Sequence, residues 1–156
     1  VAADITLEPN DKKQIEPMVS RIEENLGTYP KKISADAGYF SEDNIAFLQQ
    51  REIEAFIPPD KIRHSVLSSP SPRGRIPKNI SLKDHMRRRL QTIRGKTIYG
   101  RRKETVEPVF GQTKEGRGFR QFLLRGVEKV KAEWQLICMT HNLLKLYRWK
   151  TAKSLM

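Results

Sequence analysis

The chain has 156 residues, 37% of them hydrophobic and 31% charged, which is an ordinary composition for one globular domain. No apolar run is long enough to cross a bilayer and the first residues lack the zones of a signal peptide, so we expect a cytoplasmic protein with no membrane partner. The single cysteine, Cys138, excludes an internal disulfide and a cysteine zinc site.

The net charge of +12 is concentrated in the second half of the chain. Residues 1–72 carry 8 Lys and Arg against 12 Asp and Glu, whereas residues 73–156 carry 22 against 6. A cationic field of this size attracts a polyanion, because each neutralised phosphate releases counterions. Nucleic acid is therefore the expected partner. An anionic membrane surface fits less well, since the basic residues are spread over several elements.

The first 59 residues are predicted to alternate strands and helices. The opening "VAADIT" favours a short strand, and apolar residues at helical spacing predict a helix from Asp11 to Leu26 that Gly27 ends. Alternating apolar residues then predict a strand over residues 33–37, with Asp36 at its carboxyl end. Ser41 is placed to cap a helix over "EDNIAFLQQR", and "IEAFIPP" predicts a third strand. This order needs crossover connections, so we expect an α/β core with a largely parallel sheet.

The rest of the chain is predicted to be a loop followed by helices. Residues 60–80 are rich in Ser, Pro and cations, which is typical of a flexible basic loop; it either grips a DNA backbone or, more simply, is a solvated insertion. Ser81 is placed to cap a helix over "LKDHMRRRLQTIRG", a further helix surrounds Glu107, and Val127 to Tyr147 predict a long helix. We interpret the apolar stripe of that helix as core packing; it comprises Val127, Val130, Trp134, Ile137 or Cys138, His141, Leu144 and Tyr147.

Two carboxylates stand out in this arrangement. Ligands gather at the carboxyl ends of strands in open α/β sheets, and Asp36 has that place, although a polar turn residue is the simpler interpretation. Glu107 is flanked by Val106, Val109 and Phe110, which predicts a position on the inner face of its helix. A carboxylate there needs a cation or a metal ion, so a salt bridge to one of the many Arg and Lys side chains is the alternative to a metal site.

Asp36 and Glu107 together suit a hard divalent cation, because Mg²⁺ prefers oxygen ligands and keeps waters for a substrate phosphate. Such a site performs phosphoryl transfer, with one ion activating the attacking water or 3′-hydroxyl and a second stabilising the leaving oxygen. Lys114 lies seven residues after Glu107, two helical turns on. We therefore expect it on the same face, where it would reach the same DNA strand.

Four stretches of the sequence carry a resemblance to a known family. "DKKQIEPMVSRIEENLG", "ADAGYFSEDNIAFL", "VEPVFGQTKEGRGFRQFLLRG" and "EWQLICMTHNLLKL" together resemble the carboxyl-terminal part of bacterial insertion-sequence transposases of the DDE type, over nearly the whole chain. The resemblance implies a ribonuclease H-like fold and a site in which three acids hold two Mg²⁺ or Mn²⁺ ions. It puts the second acid on Asp36 and the third on Glu107.

The resemblance extends to a signature that surrounds the Glu. The family pattern is Tyr, two residues, Arg, three residues, Glu, six residues and Lys, and Glu107 and Lys114 match it. Tyr99 and Arg102 each lie one residue early, and Lys103 stands where the Arg is expected. The residues expected to contact DNA are Tyr99, Arg102, Lys103, Lys114, Arg117 and Arg120.

The first acid of the family has no counterpart here, since Asp4 and Asp11 match nothing catalytic in the pattern. We therefore expect a ribonuclease H-like fold that is incomplete at its amino terminus and has a helical carboxyl-terminal part. Residues 1–156 would form one partial transposase catalytic domain, with a core at 1–59, a loop at 60–80 and a helical part at 81–156 that carries the Glu.

The resemblance implies an activity for the intact protein, which would cut transposon ends and join them to target DNA in DNA transposition and recombination, at the bacterial nucleoid. A homodimer is compatible with it, since such transposases commonly act as dimers on paired ends. This chain alone would bind DNA and be catalytically incomplete. The alternative is a noncatalytic basic nucleic-acid-binding module, such as a decayed transposase remnant.

Overall fold

The computed structural model describes residues 2–62, 69–77, 79–105 and 107–154, with side chains up to Ala152. They form two compact units: the first unit lies within residues 8–106, and the second unit consists of residues 2–7 and 107–154. No helix in the described ranges is long and apolar enough to cross a membrane.

The first unit contains a sheet of two parallel strands, β1 (Lys32–Ser34) and β2 (Glu54–Phe56), in which Ile33 pairs with Ala55. The strands are connected through helix α2 (Glu42–Gln50), whose cap Ser41 accepts a hydrogen bond from the backbone N–H of Asn44. Two neighbouring parallel strands cannot be joined by a tight turn, so the helix between them acts as the crossover. The parallel pairing predicted from the order of elements is confirmed.

The strand predicted at "VAADIT" is wrong for residues 2–6, which have no strand structure, and Val1 lies outside the described residues. A strand persists only where a neighbour takes up its backbone N–H and C=O groups. In the described part of the chain, the sheet consists of β1 and β2 alone. The predicted three-strand core therefore has two strands.

Helix α1 (Ile15–Leu26) follows a 3₁₀ turn at Asp11–Gln14, so the helix predicted from Asp11 begins in a tighter form. Gly27 ends it with a φ of 68°, and its N–H donates to the carbonyl of Glu23 over 2.7 Å. Glycine adopts this left-handed backbone without the steric penalty of a side chain. The predicted end of the helix is confirmed.

The core of the first unit is formed by the two strands, α1, α2 and helix α3 (Leu82–Gln91). Its most deeply buried side chains are Val19, Ile45, Leu48, Phe56, Ile57 and Met86. Fully burying an aliphatic or aromatic side chain contributes roughly 1.5–3 kcal/mol, so this cluster holds the unit together.

Helices α3 and α4 (Ile93–Thr105) meet at Thr92, where the sequence alone predicts an uninterrupted helix. The Thr92 hydroxyl donates to the Arg89 carbonyl over 2.7 Å and accepts from the N–H of Gly95 over 3.0 Å, so it ends one helix and caps the next. A Cβ added at Gly95 would lie 2.1 Å from the Arg89 carbonyl oxygen. The continuous helix predicted over "LKDHMRRRLQTIRG" is therefore wrong at this point.

The predicted loop at 60–80 is partly outside the described residues, which lack 63–68 and 78. Its described residues carry no helix or strand, as predicted. Two of them are tied to α3: Arg87 donates to the Asp60 carboxylate, with Nε 2.9 Å from Oδ2, and Arg88 donates to the Arg73 carbonyl. The flexibility of this segment stays a prediction.

The second unit contains helix α5 (Glu107–Gly111), a π-helical turn at Gln112–Gly116 and the long helix α6 (Val127–Ser154). The predicted long helix is confirmed and continues beyond Tyr147. Its stripe is buried at Ile137 and His141, but Leu144 is 39% and Tyr147 68% exposed. The core-packing interpretation is therefore wrong for these last two residues, whose side chains are exposed.

Candidate functional site

Asp36 lies two residues beyond β1, immediately before a 3₁₀ turn at Ala37–Tyr39. Its backbone is extended, and its carbonyl accepts a hydrogen bond from the N–H of Tyr39 over 3.1 Å. The side chain is 65% exposed. The structure thus places this carboxylate beyond the carboxyl end of a parallel strand and open to solvent.

Arg102 of α4 contacts this carboxylate directly. Its Nη1 lies 2.7 Å from Asp36 Oδ1 and 2.9 Å from the Tyr99 hydroxyl. The guanidinium carbon lies 5.1 Å from the centre of the Tyr99 ring. Tyr99 and Arg102 are one helical turn apart, so both reach the same point. Lys103, which stands where the family pattern has its Arg, is exposed on the same helix.

Asp11 and Tyr39 complete the group, and neither was predicted as a site residue. The buried side-chain amide of Asn44 donates to the Lys12 carbonyl over 2.7 Å and to the Tyr39 carbonyl over 2.8 Å. These bonds hold the turn that carries Asp11 against the turn that carries Tyr39. A Cβ added at Gly38 would lie 3.1 Å from Asp11 Oδ2. We call Asp11, Asp36, Tyr39, Tyr99 and Arg102 the Asp36 cluster.

The sequence carries no local signal for these two members. Asp11 reads as a residue of the first helical turn, and Tyr39 as part of a polar turn. Their approach depends on Asn44, whose two acceptors lie on different turns. The signal that could have found them is Asn44, a polar residue on the buried face of α2. Because buried amides are almost always hydrogen-bonded, its side chain predicts a contact with another segment of the chain.

Three pKa values in the Asp36 cluster are shifted. Burial raises the pKa of Tyr39, and the charges of Asp11 and Asp36 raise it further. Burial also raises the pKa of Tyr99, although Arg102 acts to lower it. Burial acts to lower the pKa of Arg102, but its contacts with Asp36 and Tyr99 raise it overall. Both phenols therefore stay protonated and Arg102 stays charged at neutral pH, so the charge of the cation that pairs with Asp36 is permanent there.

Glu107 is the first residue of α5 in the second unit, and it is exposed. The prediction that it occupies an inner face is wrong, since Phe110 is also 44% exposed. Glu107 forms no ion pair with any residue whose side chain is described, so the salt bridge considered as its alternative role is not found in that part of the chain.

The predicted DNA contacts of the second unit differ in how they are held. Lys114 is exposed, but it lies in the π-helical turn, so its spacing of seven from Glu107 is no longer two α-helical turns. Arg117 is half-buried and donates to the Ile137 carbonyl over 3.3 Å and the Thr140 hydroxyl over 2.7 Å, which ties it to α6. Arg120 is exposed and pairs with Glu115. Lys114 and Arg120 can therefore reach a phosphate, whereas Arg117 stabilises the unit.

The second unit also contains a cavity of about 420 Å³. Four of its eleven lining residues are aromatic. Phe110 stacks on Trp134 with ring centres 6.0 Å apart, and Phe122 meets Trp134 edge-on at 6.3 Å. Lys114 and Arg120 also line it. This places two of the predicted DNA-binding cations beside an apolar hollow.

The Asp36 cluster contains one carboxylate that is open to solvent. Carboxylate oxygens are the ligands that Mg²⁺ prefers, and Asp36 is open enough for a hydrated ion. Asp36 Oδ2 accepts no hydrogen bond from the described residues. Asp11 is a second carboxylate nearby, since both Asp11 and Asp36 raise the pKa of the Tyr39 phenol. The described residues contain no group of three or more His, Cys, Asp or Glu side chains that could hold a metal ion. Asp36 belongs to the first unit and Glu107 to the second.

Comparison with known proteins gives one match. Residues 72–147 match a family model described as a transposase DDE domain. The matched segment contains Tyr99, Arg102, Glu107, Lys114 and most of α6, and it does not include Asp36. No curated protein and no solved structure matches the chain. The resemblance to DDE-type transposases is thereby confirmed, and the segment 72–147 belongs to the transposase DDE domain family.

Proposed function

We propose that this chain supplies two acids, Asp36 and Glu107, to a transposase with a ribonuclease H-like fold. The intact protein would cleave phosphodiester bonds at transposon ends and transfer the freed 3′-hydroxyls to target DNA. The family match over residues 72–147, which includes Glu107, carries the proposal. The parallel β1–α2–β2 arrangement with Asp36 beyond the end of β1 supports it.

The proposal assigns different roles to the two carboxylates, to the cations and to Tyr99. Asp36 and Glu107 are carboxylate ligands for Mg²⁺ or Mn²⁺; two such ions, when bound, activate the attacking oxygen and neutralise the leaving oxygen. Arg102 and Lys114 bind backbone phosphates, and Tyr99 positions Arg102 through its hydroxyl and its ring. Lys103 and Arg120 add positive charge for the same DNA. Dimerisation on paired ends and a nucleoid location stay predictions.

DNA binding can be measured with the chain as it stands. Fluorescence anisotropy of a labelled duplex at several salt concentrations should show an affinity that falls steeply with salt, because bound cations release counterions. Lys114→Ala should weaken binding and reduce the slope against log salt by about 1. Lys31→Ala, which removes an exposed cation from the acidic half, is the matched control and should leave the slope unchanged.

Catalysis requires the family's first acid, which has no counterpart here, so it is tested in a version extended upstream through that Asp. Mn²⁺-dependent nicking of a supercoiled plasmid should fall by about 100-fold or more in Asp36→Asn and in Glu107→Gln, because each removes a metal ligand. Glu104→Gln, an exposed neighbour, should nick normally. Normal nicking by Asp36→Asn or Glu107→Gln contradicts the assignment. Salt-sensitive binding without any nicking favours the noncatalytic binding module.

A further inference from the structure

We propose that Arg102 is a shared counter-ion that couples metal binding at Asp36 to DNA backbone binding. It holds Asp36 when the carboxylate has no metal, and it is released to a DNA phosphate when a divalent cation takes that carboxylate. This inference rests on the proposed function, since it assigns the metal to Asp36 and the phosphate to Arg102.

The starting position of Arg102 is well defined by its contacts. Its Nη1 lies between Asp36 Oδ1, at 2.7 Å, and the Tyr99 hydroxyl, at 2.9 Å. The side chain is only 21% exposed, whereas that of Asp36 is 65% exposed. The guanidinium donates to no third acceptor in the described part of the chain. Arg102 thus has spare donors for a phosphate, and Asp36 has an open side for a cation.

The charges make the two ligands help each other. The Arg102 guanidinium pairs with Asp36, and both Asp36 and Asp11 act on the nearby Tyr39 phenol. A phosphate that approaches Arg102 is repelled by Asp36 unless a cation neutralises that carboxylate. A dication that approaches Asp36 is repelled by Arg102 unless a phosphate neutralises the guanidinium. Each ligand therefore removes the repulsion that opposes the other, and the coupling is positive and reciprocal.

Tyr99 keeps Arg102 in reach during this exchange. Its ring packs against the core of the first unit, and the guanidinium carbon lies 5.1 Å from the ring centre. A cation over an aromatic face is attracted to it without any carboxylate. When Asp36 binds a metal ion, Arg102 consequently stays beside Tyr99 at the same end of α4.

The coupling predicts that removing Arg102 improves metal binding when DNA is absent. Mn²⁺ is titrated into the ¹⁵N-labelled chain, and paramagnetic broadening of the Gly38 amide reports occupancy beside Asp36. Arg102→Gln should bind Mn²⁺ roughly three- to fivefold more tightly than the wild type, which is the range expected for losing a partly exposed ion pair. Arg102→Lys, which keeps the charge, should stay close to the wild type.

Two matched variants define the controls. Arg101→Gln removes the neighbouring exposed cation and should leave Mn²⁺ affinity unchanged, while Asp36→Asn should abolish the broadening at Gly38. Equal Mn²⁺ affinity in the wild type and Arg102→Gln, or no broadening at Gly38 in either, overturns the proposal.

The second arm measures the coupling itself. At constant ionic strength, Mn²⁺ should tighten duplex binding by the wild type and by Arg101→Gln, and this enhancement should vanish in Arg102→Gln. Full enhancement in Arg102→Gln contradicts the shared counter-ion. The Mn²⁺ titration needs neither DNA nor nicking, so equal Mn²⁺ affinities remove the coupling and leave the proposed function standing. Loss of nicking alone removes the proposed catalysis and leaves the coupling, whereas loss of DNA binding removes both.

Discussion

The two units hold their candidate carboxylates in opposite ways. Asp36 follows a strand, precedes a turn that Asn44 anchors, and pairs with Arg102 from a separate helix. Glu107 lies in α5 and is exposed, with no ion pair to any described side chain. The comparison teaches that long-range contacts position Asp36 in advance, whereas Glu107 has no such ion pair among the described residues.

The two units also differ in how far they bury their apolar side chains. The first unit buries its apolar residues in one cluster, whereas α6 leaves large apolar side chains exposed, including Leu136, Met139, Leu143, Leu146 and Trp149. Both tryptophans of the chain, Trp134 and Trp149, lie in the second unit. Tryptophan fluorescence therefore follows the unfolding of the second unit by itself, which lets each unit be perturbed separately.

The largest effect is expected at the close contact between α3 and α4. Gly95→Ala should lower the free energy of unfolding of the first unit by about 2–3 kcal/mol, because its Cβ would overlap the Arg89 carbonyl. Gly100→Ala on the same helix meets no heavy atom within 4 Å and should stabilise by up to about 1 kcal/mol. Urea unfolding followed by circular dichroism measures both. A neutral Gly95→Ala would show that the helices do not meet this closely.

The next largest effect is expected at Asn44, which anchors the turn that follows Asp36. Asn44→Ala leaves the carbonyls of Lys12 and Tyr39 without their donor, so the first unit should lose about 2 kcal/mol of stability. The amide signals of residues 36–39 should shift in the NMR spectrum at the same time. Gln49→Ala, on the exposed side of α2, should change neither quantity. Unshifted amide signals in Asn44→Ala would argue that this amide does not anchor the turn.

A smaller effect is expected in the second unit. The Glu133 carboxylate accepts hydrogen bonds from the N–H groups of Leu123, at 2.9 Å, and Leu124, at 3.0 Å. Glu133→Ala should cost about 1 kcal/mol and speed amide exchange at those two positions, because charge-assisted acceptors are lost. Glu128→Ala, one exposed Glu earlier on α6, should leave their exchange rates as they are. Exchange that stays slow in Glu133→Ala would contradict this anchor.

The smallest effect is a pH dependence confined to the second unit. Burial lowers the pKa of His141, and the cations Lys145, Arg117 and Arg148 lower it further. As the pH falls, His141 is therefore protonated in the unfolded chain before it is protonated in the folded one. The unfolding free energy is accordingly highest above about pH 6.5 and decreases as the pH drops below that value.

His141→Gln should flatten this dependence. Urea midpoints from tryptophan fluorescence at about pH 7.5 and about pH 5.5 span the ordinary histidine range and measure it. His85→Gln, which changes a histidine of the first unit, should leave the fluorescence-detected slope intact. A slope that survives in His141→Gln would assign the pH dependence to other groups.

Sequence reasoning succeeded where the cause of a structure lies within a few residues. The caps at Ser41 and Ser81 and the end of α1 at Gly27 are all local, and the structure has each of them. The strand predicted over residues 33–37 is shorter than expected, because β1 ends at Ser34. The parallel strands followed from the order of elements, since a helix between two strands favours a crossover. The family was recognised from four short stretches of sequence, and two of them, at residues 106–126 and 133–146, lie inside the matched segment 72–147.

Sequence reasoning failed where a neighbour distant in the chain decides the outcome. The strand at "VAADIT" has no partner among the described strands, and the apolar residues around Glu107 do not make a buried face. Thr92 divided a pattern that looked continuous, because its hydroxyl bonds the backbone on both sides. Burial and pairing depend on which surfaces meet, and periodicity alone does not contain that information.

The sequence by itself therefore determined the helix caps at Ser41 and Ser81, the end of α1 at Gly27, the basic character of the second half, and the two candidate acids. The tertiary structure decided that Arg102 faces Asp36, that Asn44 brings Asp11 beside Gly38, and that Glu107 is exposed. The physical reason is range: caps and turns act over about four residues, whereas an ion pair forms only after packing has brought two distant segments together.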